Sequence, residues 1–120
     1  MLTRPNLVFA DIADELTGFI AISLVDIDTG MMVAEHQTGS GFDLTSASAL
    51  ASELIKQQSK TARLLELEGG IDDVMVLLRD QIHLLRMVSD ATFILLVASR
   101  EAANVAILRN ALSARAEAFV

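Results

Sequence analysis

Asp26, Asp28 and Gly30 stand at alternate positions, as oxygen ligands do at the start of a calcium-binding loop. A calcium loop needs Gly at its sixth position and Glu at its twelfth, whereas Met31 and Gln37 stand there in this sequence. We therefore expect an ordinary hairpin turn, in which Asp and Gly are favoured because they suit the backbone angles of turns.

The segment Gly39–Gly41 has a composition that could cradle a phosphate. No Gly-Lys-Ser or Gly-Lys-Thr follows it, and no buried strand runs directly into it. A flexible loop is the expected structure.

Catalytic and metal-binding groups are scarce. The chain has two histidines, His36 and His83, and no Cys, whereas a metal site needs three or four converging ligands. No Gly-x-Ser-x-Gly motif exists, and Asp72 and Asp73 are predicted to point to opposite faces of a strand, where they cannot form an acid and base pair. We predict no catalytic, cofactor-binding or metal-binding residue, no cofactor, and a protein that is not an enzyme.

The composition is typical of one folded domain, which we expect to span residues 1–120: 52% of residues are hydrophobic and 21% charged. The formal net charge of -7 argues against binding to nucleic acid. No apolar run approaches the roughly 20 residues of a membrane span, and the absence of Cys makes a cytoplasmic location the default expectation. A mean hydropathy of +0.49 is high for a small domain and indicates that another polypeptide covers part of the surface.

The hydrophobic pattern predicts a helix, a hairpin, a long helix, three strands and a last helix, in that order. The strand at 92–98 is apolar throughout and is expected in the centre of the sheet, whereas the two strands before it suit positions nearer an edge. The predicted elements are a helix from about Pro5 to Leu16, strands Phe19–Val25 and Met31–Ala34, a helix capped by Asp43 or Thr45 that ends near Glu66, strands at 73–79, 81–88 and 92–98, and a helix that begins near Arg100, is capped by Ser99 and buries Val105, Leu108, Leu112 and Phe119.

The long helix has two stripes at helical spacing. The first is predicted to face the core and consists of Ala47, Leu50, Ala51, Leu54, Thr61, Ala62 and Leu65. The second lies on one flank and is small enough to let another helix approach: Ser48, Ser52, Ile55 and Ser59. The remaining side is predicted to be solvated and carries Glu53, Lys56, Lys60 and Arg63.

The strand that begins at Asp73 is predicted to be an edge strand that pairs with the same strand of a second copy, while the long helices meet through the serine flank. A proline at Val76 is expected to remove a ladder donor and shift the protein toward monomer or aggregate. The alternative is that the serines face solvent and the strand is covered within its own chain. The predicted dimer interface consists of Ser48, Ser52, Ile55, Ser59, Val74, Val76 and Leu78.

Three segments carry a resemblance that extends over the chain from about Leu7 to Phe119: Leu16–Asp26 with Thr29-Gly30 beyond it, Ser46–Ala51, and Ser89–Val97 followed by Asn104–Arg109. In these segments and their order, the chain resembles the Roadblock (dynein light chain) superfamily in its prokaryotic form. The resemblance implies an α+β sandwich of the Roadblock/profilin-like type: a five-stranded antiparallel sheet with one long helix on one face and two terminal helices on the other.

For function, the resemblance implies a dimer, formed through the third strand and the long helix, that binds a small Ras-like GTPase and regulates its nucleotide state or turnover, or acts as a scaffold. It carries over no catalytic residue and assigns no arginine finger. The turn at Arg79-Asp80-Gln81 departs from many relatives, which have a glycine there. Two surfaces are candidates for the GTPase: the face opposite the dimer contact, and the rim around Glu53, Lys56 and Lys60.

The alternative function is a profilin-like sensor domain that holds a small ligand between sheet and helix, or a general scaffold. A pocket with convergent polar groups would favour the sensor. A hydrolase or transferase is the least favoured class, because no pair of nucleophile and base can be named.

Overall fold

A computed structural model describes residues 4–115, which form three helices and a single five-stranded antiparallel sheet with the strand order β2-β1-β5-β4-β3. This architecture confirms the predicted fold class, with β5 in the centre and β3 at an edge. The elements are α1 (Arg4–Glu15), β1 (Phe19–Asp26), β2 (Met32–Gln37), α2 (Leu44–Leu64), β3 (Asp73–Leu77), β4 (Gln81–Met87), β5 (Thr92–Ser99) and α3 (Val105–Ser113).

Two hydrophobic clusters form the core, one on each face of the sheet. Helices α1 and α3 bury one face of the sheet, with Phe9, Ile12, Leu108 and Leu112 as their main contacts. Helix α2 covers the other face, where Ile55 packs against β1 and β5. Since both faces of β5 are covered, its residues from Phe93 to Ala98 are all buried, as the uninterrupted apolar run predicts.

The N-terminus of α2 is capped by Asp43, one of the two predicted candidates, and not by Thr45. The Oδ1 of Asp43 accepts a hydrogen bond from the N–H of Ser46 at 3.1 Å. Hydrogen bonds from Ser46 also hold the pKa of the Asp43 carboxyl below its ordinary value, because they favour the charged form.

The predicted start of the last helix is wrong. Ser99 is the last residue of β5, because its N–H still bonds to the carbonyl of Gly18 at 2.8 Å, across the sheet. Helix α3 begins at Val105, after Asn104, whose Oδ1 accepts from the N–H of Ile107 at 3.0 Å. Phe119, predicted on the buried line of this helix, lies outside the described residues.

The acidic segment between β1 and β2 is a hairpin turn, as predicted. The Oδ2 of Asp26 accepts from both the hydroxyl and the N–H of Thr29, at 2.7 and 3.0 Å, and these bonds lower the pKa of Asp26. Gly30 has a φ of +72°, a backbone angle at which other residues are strained. Within residues 4–115, no three His, Asp or Glu side chains are placed to share a metal ion.

The turn between β3 and β4 closes without a glycine. The N–H of Leu78 bonds to the carbonyl of Gln81 at 2.9 Å, and neither Arg79 nor Asp80 has a positive φ. Arg100 fixes the turn from the end of β5: its guanidinium donates to the carbonyl of Leu78 and its N–H to that of Asp80, both at 3.0 Å.

In the described part of the chain, no helix combines the length and the apolar character needed to cross a lipid bilayer.

Candidate interaction surface

Helix α2 is rotated about its axis relative to the predicted wheel. Ser48 and Ser52 are fully buried and Ile55 is 1% exposed, so all three contact the sheet. The prediction that these side chains form an outward flank is therefore wrong, and they are not available to a second copy.

Hydrogen bonds explain why serines occupy the core side of α2. The hydroxyls of Ser48 and Ser23 lie 2.8 Å apart, and the hydroxyl of Ser52 donates to the carbonyl of Ile27 at 2.6 Å. Because each buried hydroxyl has a partner, the small side chains let α2 lie close to β1 while the hydrogen bonds offset the cost of desolvation. One signal in the sequence pointed this way: Ser23 interrupts an otherwise apolar buried strand and needs a polar partner from the covering helix.

The stripe of α2 that was predicted to face the core does so only in part. Leu50 is 70% exposed and Leu65 is 64% exposed, whereas Ala51 is buried in the core. The other members are partly buried: Ala47, Leu54, Thr61 and Ala62. Part of this stripe and the neighbouring face of β3 and β4 form an apolar groove of about 420 Å³. The residues that line it include Phe42, Ala47, Leu50 and Leu54 on the helix side and Val76, His83 and Leu85 on the sheet side.

Strand β3 forms the rim of this groove and is an open edge. Its five residues, Asp73–Leu77, include no Lys or Pro, and the register with β4 is continuous. The opposite edge, β2, is protected: its pairing with β1 shifts register between Leu24 and Val25, and it carries the exposed Glu35. Only the β3 edge is therefore suited to accept another strand.

The backbone groups on this open edge can be assigned from the ladder. The N–H of Leu78 bonds to Gln81, and the N–H of Met87 bonds to the carbonyl of Asp72 at 3.0 Å, so the even-numbered residues of β3 bond to β4. The odd-numbered residues Asp73, Met75 and Leu77 consequently direct their N–H and C=O groups away from the sheet. The expectation that a proline at Val76 removes a donor used by a second copy is therefore wrong. A proline at Val76 removes a hydrogen bond to β4 within the same chain, whereas a proline at Met75 removes a donor from the free edge.

The other predicted interface residues lie around the same groove. Val74 and Val76 are partly buried on the α2 face of the sheet, and Leu78 is exposed just beyond the end of β3. Ser59 is partly buried on α2. Contact of these four residues with a second copy stays a prediction.

Few charges lie in the groove itself. Asp43 at its end is engaged in capping α2. The His83 ring packs edge-on against Phe42, with 6.0 Å between ring centroids, and its Nε2–H donates to Oε1 of Gln81 at 2.8 Å. Burial lowers the pKa of His83.

Most ion pairs of the described residues lie outside the groove. Asp73 pairs with Arg86 and Arg109 at 3.1 and 3.4 Å on the α3 side of the sheet. On the outer side of α2, the Nζ of Lys56 bonds to Glu53 at 3.3 Å and to the carbonyl of Asp28 at 3.2 Å. The predicted solvated side of α2 is thus confirmed: Glu53, Lys60 and Arg63 are exposed, and Lys56 is partly exposed.

Comparison with known proteins identifies the fold. No protein-family model and no curated protein matches the sequence. Among solved structures, MglB of Myxococcus xanthus superposes with a TM-score of 0.84 at 13% identity, over 98% of this chain and 92% of that one. A Roadblock/LC7 domain from Streptomyces avermitilis gives 0.81 at 18% identity, over 93% and 91%. An MglB with a tetrameric arrangement gives 0.79 at 17% identity, over 99% and 90%. The chain has the Roadblock/LC7 fold.

Proposed function

We propose that this Roadblock-fold chain is a non-enzymatic, homodimeric module that binds a small Ras-like GTPase in the cytoplasm and regulates its nucleotide state. The observation that carries the proposal is the unprotected β3 edge beside the partly exposed apolar stripe of α2. Both features are on the same side of the molecule, so one partner can cover them together.

A second copy of the chain fits this surface. Two β3 strands related by a two-fold axis can pair through the outward backbone groups of Asp73, Met75 and Leu77, which makes one continuous sheet. The same axis brings the two α2 stripes together over the joined sheets. Burial of a leucine such as Leu50 stabilises an interface by about 1.5–3 kcal/mol, and its 70% exposure in the single chain leaves most of that burial to the dimer.

Binding of a GTPase is inferred from the fold and from the charges that the dimer leaves exposed. Lys56, Lys60 and Arg63 form a basic row on the outer side of α2, in a chain whose net charge is -7. A local basic row in an acidic protein orients an acidic partner surface during encounter. We therefore place the GTPase on this rim and propose that the module acts by surface complementarity.

The proposal of a non-enzymatic role is supported by the surroundings of the two imidazoles. Within residues 4–115, neither His36 nor His83 is hydrogen-bonded to a hydroxyl or a carboxylate that it could activate. Regulation would then depend on contacts with the GTPase and not on a bond-breaking group of this chain.

The oligomeric state tests the surface on which the proposal rests. Leu54→Glu places a charge in the groove, and Met75→Pro removes a donor from the free edge while leaving the β3–β4 bonds in place. Both variants are expected to be folded monomers by circular dichroism and light scattering, whereas wild type is a dimer. Val33→Glu is the control, because Val33 is 65% exposed on the opposite edge, and it should remain dimeric. A monomeric wild type, or dimers of unchanged mass in both variants, contradicts the proposed surface.

A second candidate function, a small-ligand sensor, is favoured by the position and volume of the groove between α2 and the sheet, whereas its apolar lining, without convergent polar groups, counts against it. A metabolite that raises the melting temperature of wild type but not of Leu54→Glu would support the sensor.

A further inference from the structure

The chain contains two histidines and no Cys, and histidine is the side-chain type whose charge is most easily changed near neutral pH. His36 lies in β2, at the edge opposite to the groove. His83 lies in β4 and lines the groove, directly across the ladder from Val76 of the open edge strand.

The contacts of His83 provide an acceptor for only one ring N–H. Nε2 lies 2.8 Å from Oε1 of Gln81, which accepts from Nε2–H whether the ring is neutral or charged. No atom of residues 4–115 is hydrogen-bonded to Nδ1. A second proton on this ring would therefore rely on water as its acceptor, and a partner that covers the groove removes that water.

The other groups that face His83 do not offset such a charge. From β3 and β5 the facing residues are Val76 and Val97, which do not ionise. From the helix side, Asp43 lines the groove, but its carboxylate accepts from Ser46 and forms no ion pair with His83. The ion pair of Asp73 and Arg86 lies on the other face of the sheet, where Arg86 bonds to Ser113 of α3.

We propose that His83 couples self-association of this chain to pH, so that the dimer forms with both imidazoles neutral and dissociates as the pH falls. The inference rests on the proposed dimer, which places a second copy over the groove. Because a two-fold interface contains each residue twice, two protons are taken up for every dimer that dissociates.

The direction of the effect follows from linkage. Burial already lowers the pKa of His83 in the single chain, and coverage by a second copy lowers it further. If the pKa of His83 is lower in the dimer than in the free chain, the dimer has its highest affinity at a pH above the pKa of the free chain. The affinity then decreases as the pH falls below that value. With two sites, the dissociation constant rises by at most about 100-fold per pH unit between the two pKa values.

The test measures the dimer dissociation constant by sedimentation velocity over a dilution series at pH 7.5, 6.5 and 5.5. Wild type is expected to weaken at least tenfold from pH 7.5 to 5.5 while circular dichroism shows that the chain stays folded. His83→Leu, which fills the groove with an apolar side chain, and His83→Gln should each change less than threefold over the same range. His36→Gln is the matched control and should behave like wild type.

A wild-type dimer whose dissociation constant does not change with pH overturns the inference and leaves the proposed dimer intact. The same holds if His83→Leu and His83→Gln keep the full pH dependence, or if His36→Gln loses it. A chain that is monomeric at pH 7.5 overturns both this inference and the proposed dimer.

Discussion

Replacement of Ser52 by Ala tests whether the serines of α2 belong to the fold of one chain or to a contact between chains. Ser52 is fully buried, and its hydroxyl donates to the carbonyl of Ile27 at 2.6 Å. The substitution leaves that carbonyl, in a residue that is 9% exposed, without its side-chain donor. A buried polar group that loses its partner costs about 1–3 kcal/mol, so Ser52→Ala should lower the free energy of unfolding by about 2 kcal/mol.

Urea denaturation followed by circular dichroism measures this loss. For small domains the free energy of unfolding falls by about 1–3 kcal/mol for each mole per litre of urea, so a loss of 2 kcal/mol moves the midpoint down by about 1 M. All samples need the same protein concentration, because dimer dissociation is linked to unfolding. Ser59→Ala is the matched control: Ser59 is partly buried, has no hydrogen-bond partner among the described residues, and should cost less than about 0.5 kcal/mol.

A core role for Ser52 is contradicted if Ser52→Ala unfolds at the wild-type urea concentration while its dimer is weaker than that of wild type. That combination would mean that the serines face a second copy, as the helical wheel alone predicts.

Further substitutions test the core and the turn before β1. Ser23→Ala and Ser48→Ala should each cost about 1 kcal/mol, but the double variant should cost no more than either one, because it leaves no unpaired hydroxyl; strictly additive losses in urea denaturation would contradict the pairing. Gly18→Ala should cost about 1–3 kcal/mol, because Gly18 has a φ of +86° and a Cβ there would lie 2.8 Å from the Cβ of Ala102. Gly69 has a φ of +93°, and a Cβ there would have no atom within 4 Å, so Gly69→Ala measures the cost of the backbone angle alone. Equal losses of unfolding free energy in Gly18→Ala and Gly69→Ala would show that the Ala102 contact is unimportant.

The order of elements and the layers were predictable because they depend on hydrophobic period and on turn residues. The continuous apolar run of β5 indicated its central position, and Asp43 was identifiable as one of two candidate caps, with Thr45, because a carboxylate before a helical run accepts from the first free N–H groups. These signals are local in the chain, so a single sequence contains them.

The candidate surface was predicted only in outline. The strand and the helix were identified, but the face of α2 was not, since Ser48 and Ser52 become core residues only through partners about 25 positions earlier in the chain. The edge donors were assigned to the wrong residue for a related reason. Which residues of β3 direct their N–H groups outward depends on the register of the β3–β4 hairpin, and the Leu78–Gln81 bond that sets this register is a property of the fold.

Affinity capture from native lysate tests the proposed function most directly. The tagged chain is incubated in parallel with a GTP analogue and with GDP, and the bound proteins are identified by mass spectrometry, with the monomeric variant Leu54→Glu as a matched bait. The proposal predicts a small Ras-like GTPase enriched on the wild-type dimer in one nucleotide state. A wild-type dimer that captures no GTPase in either state would contradict it.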